Sequence, residues 1–203
     1  MSAGAQVLVE GRTCWRRPRA DRVAVLVDGA AYFAALAEAI ERAERQILML
    51  GWDFHSRVRL RRDGRPHALP DELAALLDAA VARRRRLHVY ILGWDFAMIY
   101  ALERESLPLY RLGLRTHRRV HFRLDDRHPV GASHHQKIVV VDDALAFVGG
   151  LDITSCRWDT REHRARDPRR RDPGFEEYAP FHDVAMAVDG DAARALGAAV
   201  ALD

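Results

Sequence analysis

The run Ile138-Val139-Val140-Val141 constrains this chain more than any other segment. Consecutive apolar, mostly β-branched residues leave a strand without a polar face. Such a strand is stable only where both faces of its sheet are covered. Charge bounds the run, with Lys137 before it and Asp142 after it. A second apolar run, residues 144–148, follows the Asp142-Asp143 turn and ends in Gly149-Gly150. Two strands joined by a tight turn are predicted, with glycines where close backbone approach or an unusual dihedral is available to no other residue. If residues 135–141 are one strand, His135 and Lys137 leave the same face. By the same alternation Asp142 points the other way, and no position beside His135 is open to it without a turn or a bulge.

The remainder reads as strands alternating with helices. Residues 22–27 form a strand that turns at Asp28-Gly29, and residues 30–45 a helix with Phe33, Leu36, Ala37 and Ile40 in one stripe. Residues 46–50 are a strand stopped by Gly51, and residues 57–60 alternate apolar with charged, as an edge strand does. Pro70, Asp71 and Glu72 open a helix whose face is Leu73, Leu76, Leu77, Ala80 and Val81. Further strands are predicted over residues 87–92, 120–124 and 182–188, and helices over 103–112 and 191–202. The string LGWDF occurs at residues 50–54 and again at 92–96, each time closing a strand. The expected fold class is α/β, a mixed, largely buried β-sheet flanked by helices, with residues 1–203 as one domain.

Composition excludes little. Lys+Arg is 32 against Asp+Glu 29, a net charge of +3 that argues neither nucleic acid nor membrane by itself. The exception is local. Arg161, Arg164, Arg166, Arg169, Arg170 and Arg171 crowd a stretch with Pro168, Pro173 and Gly174, which predicts a basic loop over residues 159–180. That loop is either a solvated insertion or a contact for phosphate or an anionic surface. No apolar run approaches the ~20 residues of a membrane span, and no signal-peptide pattern opens the chain. Cys14 and Cys156 lie far apart without metal-ligand spacing, consistent with reduced thiols in the cytoplasm.

His135, Lys137, Asp142, Gly149 and Gly150 fit the pattern HxKxxxxDxxxxxxGG residue by residue. In this the chain resembles the phospholipase D superfamily. Gly149 to Asp152, then Arg157 to Thr160 and Phe181 to Val184, are similar to the region after the first of two such motifs in the larger enzymes. The opening residues 11–33 and the strand ILMLGWDF, residues 47–54, resemble the N-terminal half of bacterial members. The resemblance implies an α-β-α sandwich that is one half of a pseudo-twofold pair, with the motif at residues 135–150.

The resemblance also implies chemistry. Lys137 neutralises a non-bridging phosphate oxygen. His135 attacks phosphorus to form a phosphohistidine, or serves as the acid, and a second histidine takes the other role. Asp142 completes the catalytic motif by ordering its surroundings. Gly149, Gly150 and Asp152 bind phosphate or order the site, and Asp152 stands where many relatives carry asparagine. No cofactor and no metal are implied. A metal set of Asp125, Asp126, His128 and His134 matches no common ligand spacing, His134 reads as structural, and His182-Asp183, adjacent on a strand and so facing opposite ways, read as sheet-packing residues.

Lys137 is the only lysine, so no second HxKxxxxD exists in the sequence. The expected partner is therefore a second half-domain, downstream in a longer protein or supplied by a second copy. A phospholipid substrate is expected, with hydrolysis or transfer of its phosphatidyl group and peripheral membrane location. Alternatives are a homodimeric single-motif phosphodiesterase or nuclease, for which nucleic acid becomes the partner, and a catalytically incomplete half.

Overall fold

The computed structural model describes residues 7–94, 116–125 and 134–201. The elements in chain order are β1 (Val23–Val27), α1 (Asp28–Arg42), β2 (Gln46–Gly51), α2 (Leu73–Arg83), β3 (His88–Trp94), β4 (Val120–Asp125), β5 (Ile138–Val141), β6 (Leu145–Gly149), β7 (Val184–Asp189) and α3 (Gly190–Val200). The strands form one mixed sheet in the order β1-β7-β6-β5-β2-β3-β4. β2, β3 and β4 run parallel, and the pairs from β2–β5 to β1–β7 are antiparallel.

The apolar stripe of α1 (Phe33, Leu36, Ile40) and that of α2 (Leu73, Leu76, Leu77) cover one face, meeting Ile47, Met49, Val89 and Val139 in the larger core. On the other face, α3 sets Ala193 and Leu196 against Val140, Ala146 and Val188. β5 is thus covered on both sides, as its unbroken apolar run required. The α/β sandwich expected from the sequence is the observed fold.

Several boundaries moved, each for a local reason. Pro70 does not open α2. Instead Leu60 N–H bonds Asp71 O at 2.9 Å, and Leu73 and Ala74 donate to Val58 O and Ser56 O at 3.0 and 2.9 Å. The extended segment before the helix therefore caps the amides of its first turn, and helix begins at Leu73. The predicted strand at residues 57–60 is reduced to a single bridge, Arg59 with Glu72. α1 begins at Asp28 rather than Ala30, on a left-handed φ of 69°. β5 begins at Ile138, so His135 and Lys137 precede the strand, although Gly149 N–H still bonds Lys137 O at 3.3 Å. The helix predicted at 103–112 lies outside the described residues. The two LGWDF strings close neighbouring parallel strands in register, Leu50 with Leu92 and Gly51 with Gly93.

The stretch between β6 and β7 has no helix or long strand, and Arg170 organises it. Arg170 is 2% exposed and donates to Asp159 Oδ1 (3.1 Å), Tyr178 O (2.8 Å), Arg164 O (2.8 Å) and Ala165 O (3.0 Å). For Arg170 both sequence readings fail, because it is a buried staple and not a solvated or phosphate-binding side chain. Trp158 is held between two guanidinium groups, Arg62 at 5.1 Å and Arg169 at 5.2 Å from its ring.

Two carboxylates make this loop acid-sensitive. Burial acts to raise the pKa of Asp159, but hydrogen bonds from Thr160, Phe181, His163 and Arg170 outweigh it and lower the value. Hydrogen bonding from Arg169 is the largest influence on Asp167, which falls from 3.8 to about 2. A depressed carboxylate stabilises the fold above its ordinary pKa, and that stabilisation is lost as pH falls through the folded value. Pepsin cleavage within residues 159–178 should therefore accelerate as the solution is taken from pH 3.8 towards about 2. Arg170→Ala strands Asp159 in the interior and should cost about 3–5 kcal/mol, read by urea denaturation at neutral pH.

Candidate active site

Strand direction gathers the site. Leu50 pairs with Ile138 and Ile138 with Val148, Trp94 with Asp125, Gly149 with Ala185, and Val27 with Val184. The carboxyl ends of β1, β2, β3, β4 and β6 and the amino ends of β5 and β7 therefore share one rim. His135, Lys137, Gly149, Gly150 and Asp152 all lie on it. Asp142 lies at the opposite end of β5, about 17 Å from Lys137 at ~3.4 Å per residue.

Lys137 is 7% exposed, and its ammonium faces Asp152 Oδ2 at 3.1 Å and His135 O at 3.4 Å. Asp152 is itself 5% exposed, and its Oδ1 accepts from Trp52 N (2.8 Å) and Asp53 N (3.3 Å). One carboxylate thus ties the end of β2 to the start of β5. An ammonium has three N–H donors, so a further one can reach a phosphate oxygen. Asp152 also acts on Tyr32, whose pKa is raised mainly by burial and further by this carboxylate.

His135 is exposed on the rim. Its ring meets the Trp52 ring edge-on, with centroids 5.7 Å apart, and Trp52 stacks on Trp94 at 5.2 Å. The register of the two LGWDF strings places those tryptophans side by side. The repeat was therefore the one sequence signal for an aromatic shelf that motif reasoning missed.

Gly149 and Gly150 are set by close approach and not by dihedral angle. A Cβ at Gly149 would stand 2.6 Å from Ala185 Cα and Val184 O, and one at Gly150 would collide with the Asp183 carboxylate. His134 Nε2 lies 3.8 Å from Asp125 Oδ2. Asp126 and His128, weighed with them as a metal set, are outside the described residues.

No family model matches the chain. Phospholipase D zeta 1 of Arabidopsis thaliana is 37% identical over 159 residues, covering 76% of this chain and 14% of that protein. Phospholipase D C of Dictyostelium discoideum is 30% identical over 196 residues, covering 83% and 12%. The solved structure of NucT from Helicobacter pylori shares the fold, with a TM-score of 0.53 at 13% identity over 89% of this chain and 92% of that one. The chain belongs to the phospholipase D superfamily. It spans only about an eighth of the length of those two curated relatives.

In this phospholipase D superfamily member, Asp142 is built into the scaffold. Asp142 and Asp143 have φ of 54° and 55°, and Ala144 N–H bonds Val141 O at 3.0 Å, closing a two-residue hairpin turn. The Asp142 carboxylate accepts from Glu44 N (2.8 Å), Arg45 N (2.7 Å) and Gln46 N (2.8 Å). It thereby anchors the entry to β2 and contacts neither His135 nor Lys137.

A second cluster sits further along the rim. Asp28, fully buried, accepts from His182 Nδ1 at 2.7 Å, and its other oxygen lies 3.2 Å from His163 Nε2. His163 Nδ1 is 3.2 Å from Asp159. Ligand atoms of Asp28, His163 and His182 lie within 4.8 Å of one another and could together hold a cation. Among the described residues this is the set that meets that spacing. His182 precedes β7 and is largely exposed, so the sheet-packing role expected for it is not observed.

Removing the Asp142 carboxylate leaves three backbone amides without it. Asp142→Ala should lower stability by about 2–4 kcal/mol, measured by urea denaturation, while the ring contact between His135 and Trp52, followed by His135 NMR shifts, stays in place.

Proposed function

We propose that this chain supplies one half-site of a phosphodiesterase that acts on phosphatidyl esters. The observation that carries the reading is the rim itself. A buried ammonium, Lys137, is fixed by Asp152 and the His135 carbonyl, two residues along the chain from an exposed imidazole. A phosphodiester resists attack because its oxygens are anionic. Lys137 meets one of those oxygens and offsets its charge, in a site whose low dielectric strengthens the contact. His135 attacks phosphorus through a ring nitrogen. The N–P bond forms as the P–O bond to the leaving alcohol breaks, and a second histidine protonates that alcohol. Water or another alcohol, deprotonated by the same second histidine, then releases the phosphoryl group. Asp152, Gly149 and Gly150 hold this geometry.

The second histidine comes from a second half-domain. An apolar surface for association is present. Val23 and Val25 on β1 and Val184 and Met186 on β7 point to the α3 face and are exposed by 56, 57, 40 and 39%. A second domain covering that strip would remove a liability for aggregation. The phosphatidyl assignment rests on the named relatives.

The test combines chromatography with activity. The chain by itself is expected not to hydrolyse phosphatidylcholine or a bis-aryl phosphodiester at an enzymatic rate. Co-expression with a half carrying a second HxKxxxxD motif should restore turnover. In that complex His135→Asn and Lys137→Ala should each lower kcat by at least about 10³-fold, with the circular dichroism spectrum unchanged. Wild-type turnover in folded His135→Asn would remove the assignment. An active homodimer that cleaves oligonucleotides and not lipid would replace it with the nuclease reading.

A further inference from the structure

The basic loop contributes to a groove that the chemistry above does not use. The groove has a volume of about 330 Å³ and lies between residues 57–64 and residues 168–175. Arg57, Arg59, Arg62, Arg169 and Arg171 line it, against two carboxylates, Glu72 and Asp172. On the first wall Val58 and Leu60 turn into the core, so Arg57 and Arg59 are left on the solvent side. Arg59 has an acidic neighbour, Asp71 at 3.4 Å, but its side chain is 60% exposed. Exposed pairs of this kind are weak and re-form readily with other anions.

Phe175 stands at the mouth of this groove and is 75% exposed. Its turn is rigid. Asp172 Oδ1 accepts from Gly174 N and Glu176 N, both at 2.8 Å, and Phe175 N–H bonds Asp172 O at 3.0 Å. Arg171 NH1 donates to Phe175 O at 3.0 Å. Phe175 is held there at a φ of 72°, a left-handed conformation that costs an aromatic residue free energy. The fold therefore sustains backbone strain in a turn that points a large apolar side chain away from its own core.

Both walls start from the active site. The first leaves it at Trp52 and Asp53, which Asp152 holds. The second leaves it at Asp152, Ile153 and Thr154. The walls are cross-linked there by Thr154 Oγ1 to Asp53 Oδ2 at 2.7 Å and by the Phe54–Ile153 bridge.

We propose that this groove and the Phe175 turn form a docking surface for an anionic membrane. Arg57 and Arg59 meet lipid phosphates, and Phe175 enters the interface between headgroups and acyl chains. An apolar tip beside a groove lined by guanidiniums matches both layers of such a surface. A single-stranded nucleic acid groove calls for successive stacking platforms. Here, among the described residues, Phe175 is the one aromatic that lines the groove, and Trp158 close by is 4% exposed and offers no face to a base. The inference rests on the phosphatidyl substrate proposed above, since docking here brings the site rim to the bilayer.

The experiment is vesicle co-sedimentation of the full chain. Vesicles of phosphatidylcholine are compared with vesicles containing roughly 30% phosphatidylserine. Binding should be at least about tenfold stronger to the anionic vesicles and should collapse in roughly 0.5 M sodium chloride. Each of Arg57→Ala and Arg59→Ala should weaken it about fivefold, and Phe175→Ser about tenfold. Phe175→Trp, which preserves the aromatic tip, should bind as wild type and give a blue-shifted emission on anionic vesicles only. Equal binding to both vesicle types, wild-type binding by Phe175→Ser, or no spectral shift in Phe175→Trp would each overturn the proposal. So would retention of a single-stranded oligonucleotide, lost in the arginine variants, without vesicle binding. If vesicles do not bind while the complemented enzyme cleaves a soluble short-chain phosphatidyl ester, the docking surface alone fails. Vesicle binding with no phosphatidyl cleavage by that complex would instead overturn the substrate reading.

Discussion

The Asp152 carboxylate is the point on which the rim depends. It is buried, it receives two backbone amides from the end of β2, and it faces the only lysine of the chain at 3.1 Å. A buried ammonium needs a nearby carboxylate, because removing either partner leaves an uncompensated charge in a medium that solvates it poorly. The carboxylate in turn needs donors for its second oxygen, and Trp52 and Asp53 supply them. Three strands are coupled through one side chain. β2 sets the aromatic shelf against His135, β5 brings Lys137, and the chain leaving β6 carries Asp152 itself.

The two ends of β5 divide function from construction. At one end lie His135 and Lys137. At the other, Asp142 and Asp143 accept left-handed dihedrals to close the hairpin, and Asp142 fastens residues 44–46. A single sequence motif thus spans a reactive rim and a structural anchor. They are coupled because the anchor fixes the start of β2 in register with β5, and the end of β2 then meets Asp152. A shift of one residue would exchange the faces of every side chain along these strands.

The segment between β6 and β7 is held from within by charge. Arg170 satisfies carbonyls that no helix or strand ladder pairs, and Asp159 accepts from Arg170, His163 and two backbone amides. The same segment carries His163 to Asp28 and presents Phe175 outward. An irregular stretch can be this specific because its buried backbone groups find side-chain partners, the general requirement for polar groups away from water.

The covered sheet, its α/β class and the identity of the motif residues were determined by the sequence alone. An unbroken run such as Ile138 to Val141 admits no half-exposed strand, and the helical stripes of Phe33 to Ile40 and Leu73 to Val81 leave little freedom of period. The start of α2 was not legible, since its first amides are capped by Ser56 and Val58, more than ten residues earlier in the chain. Nor was the burial of Arg170, which composition presents as one of six arginines in the same loop. Only the tertiary structure could place Asp142 at the far end from Lys137 in contact with residues 44–46. It alone could set Trp52 beside Trp94 and join Asp28 to His163 and His182. Local propensity and periodicity report on neighbours a few residues apart, whereas these contacts join groups as many as 154 residues apart along the chain. They exist because strand order and register bring them to one rim.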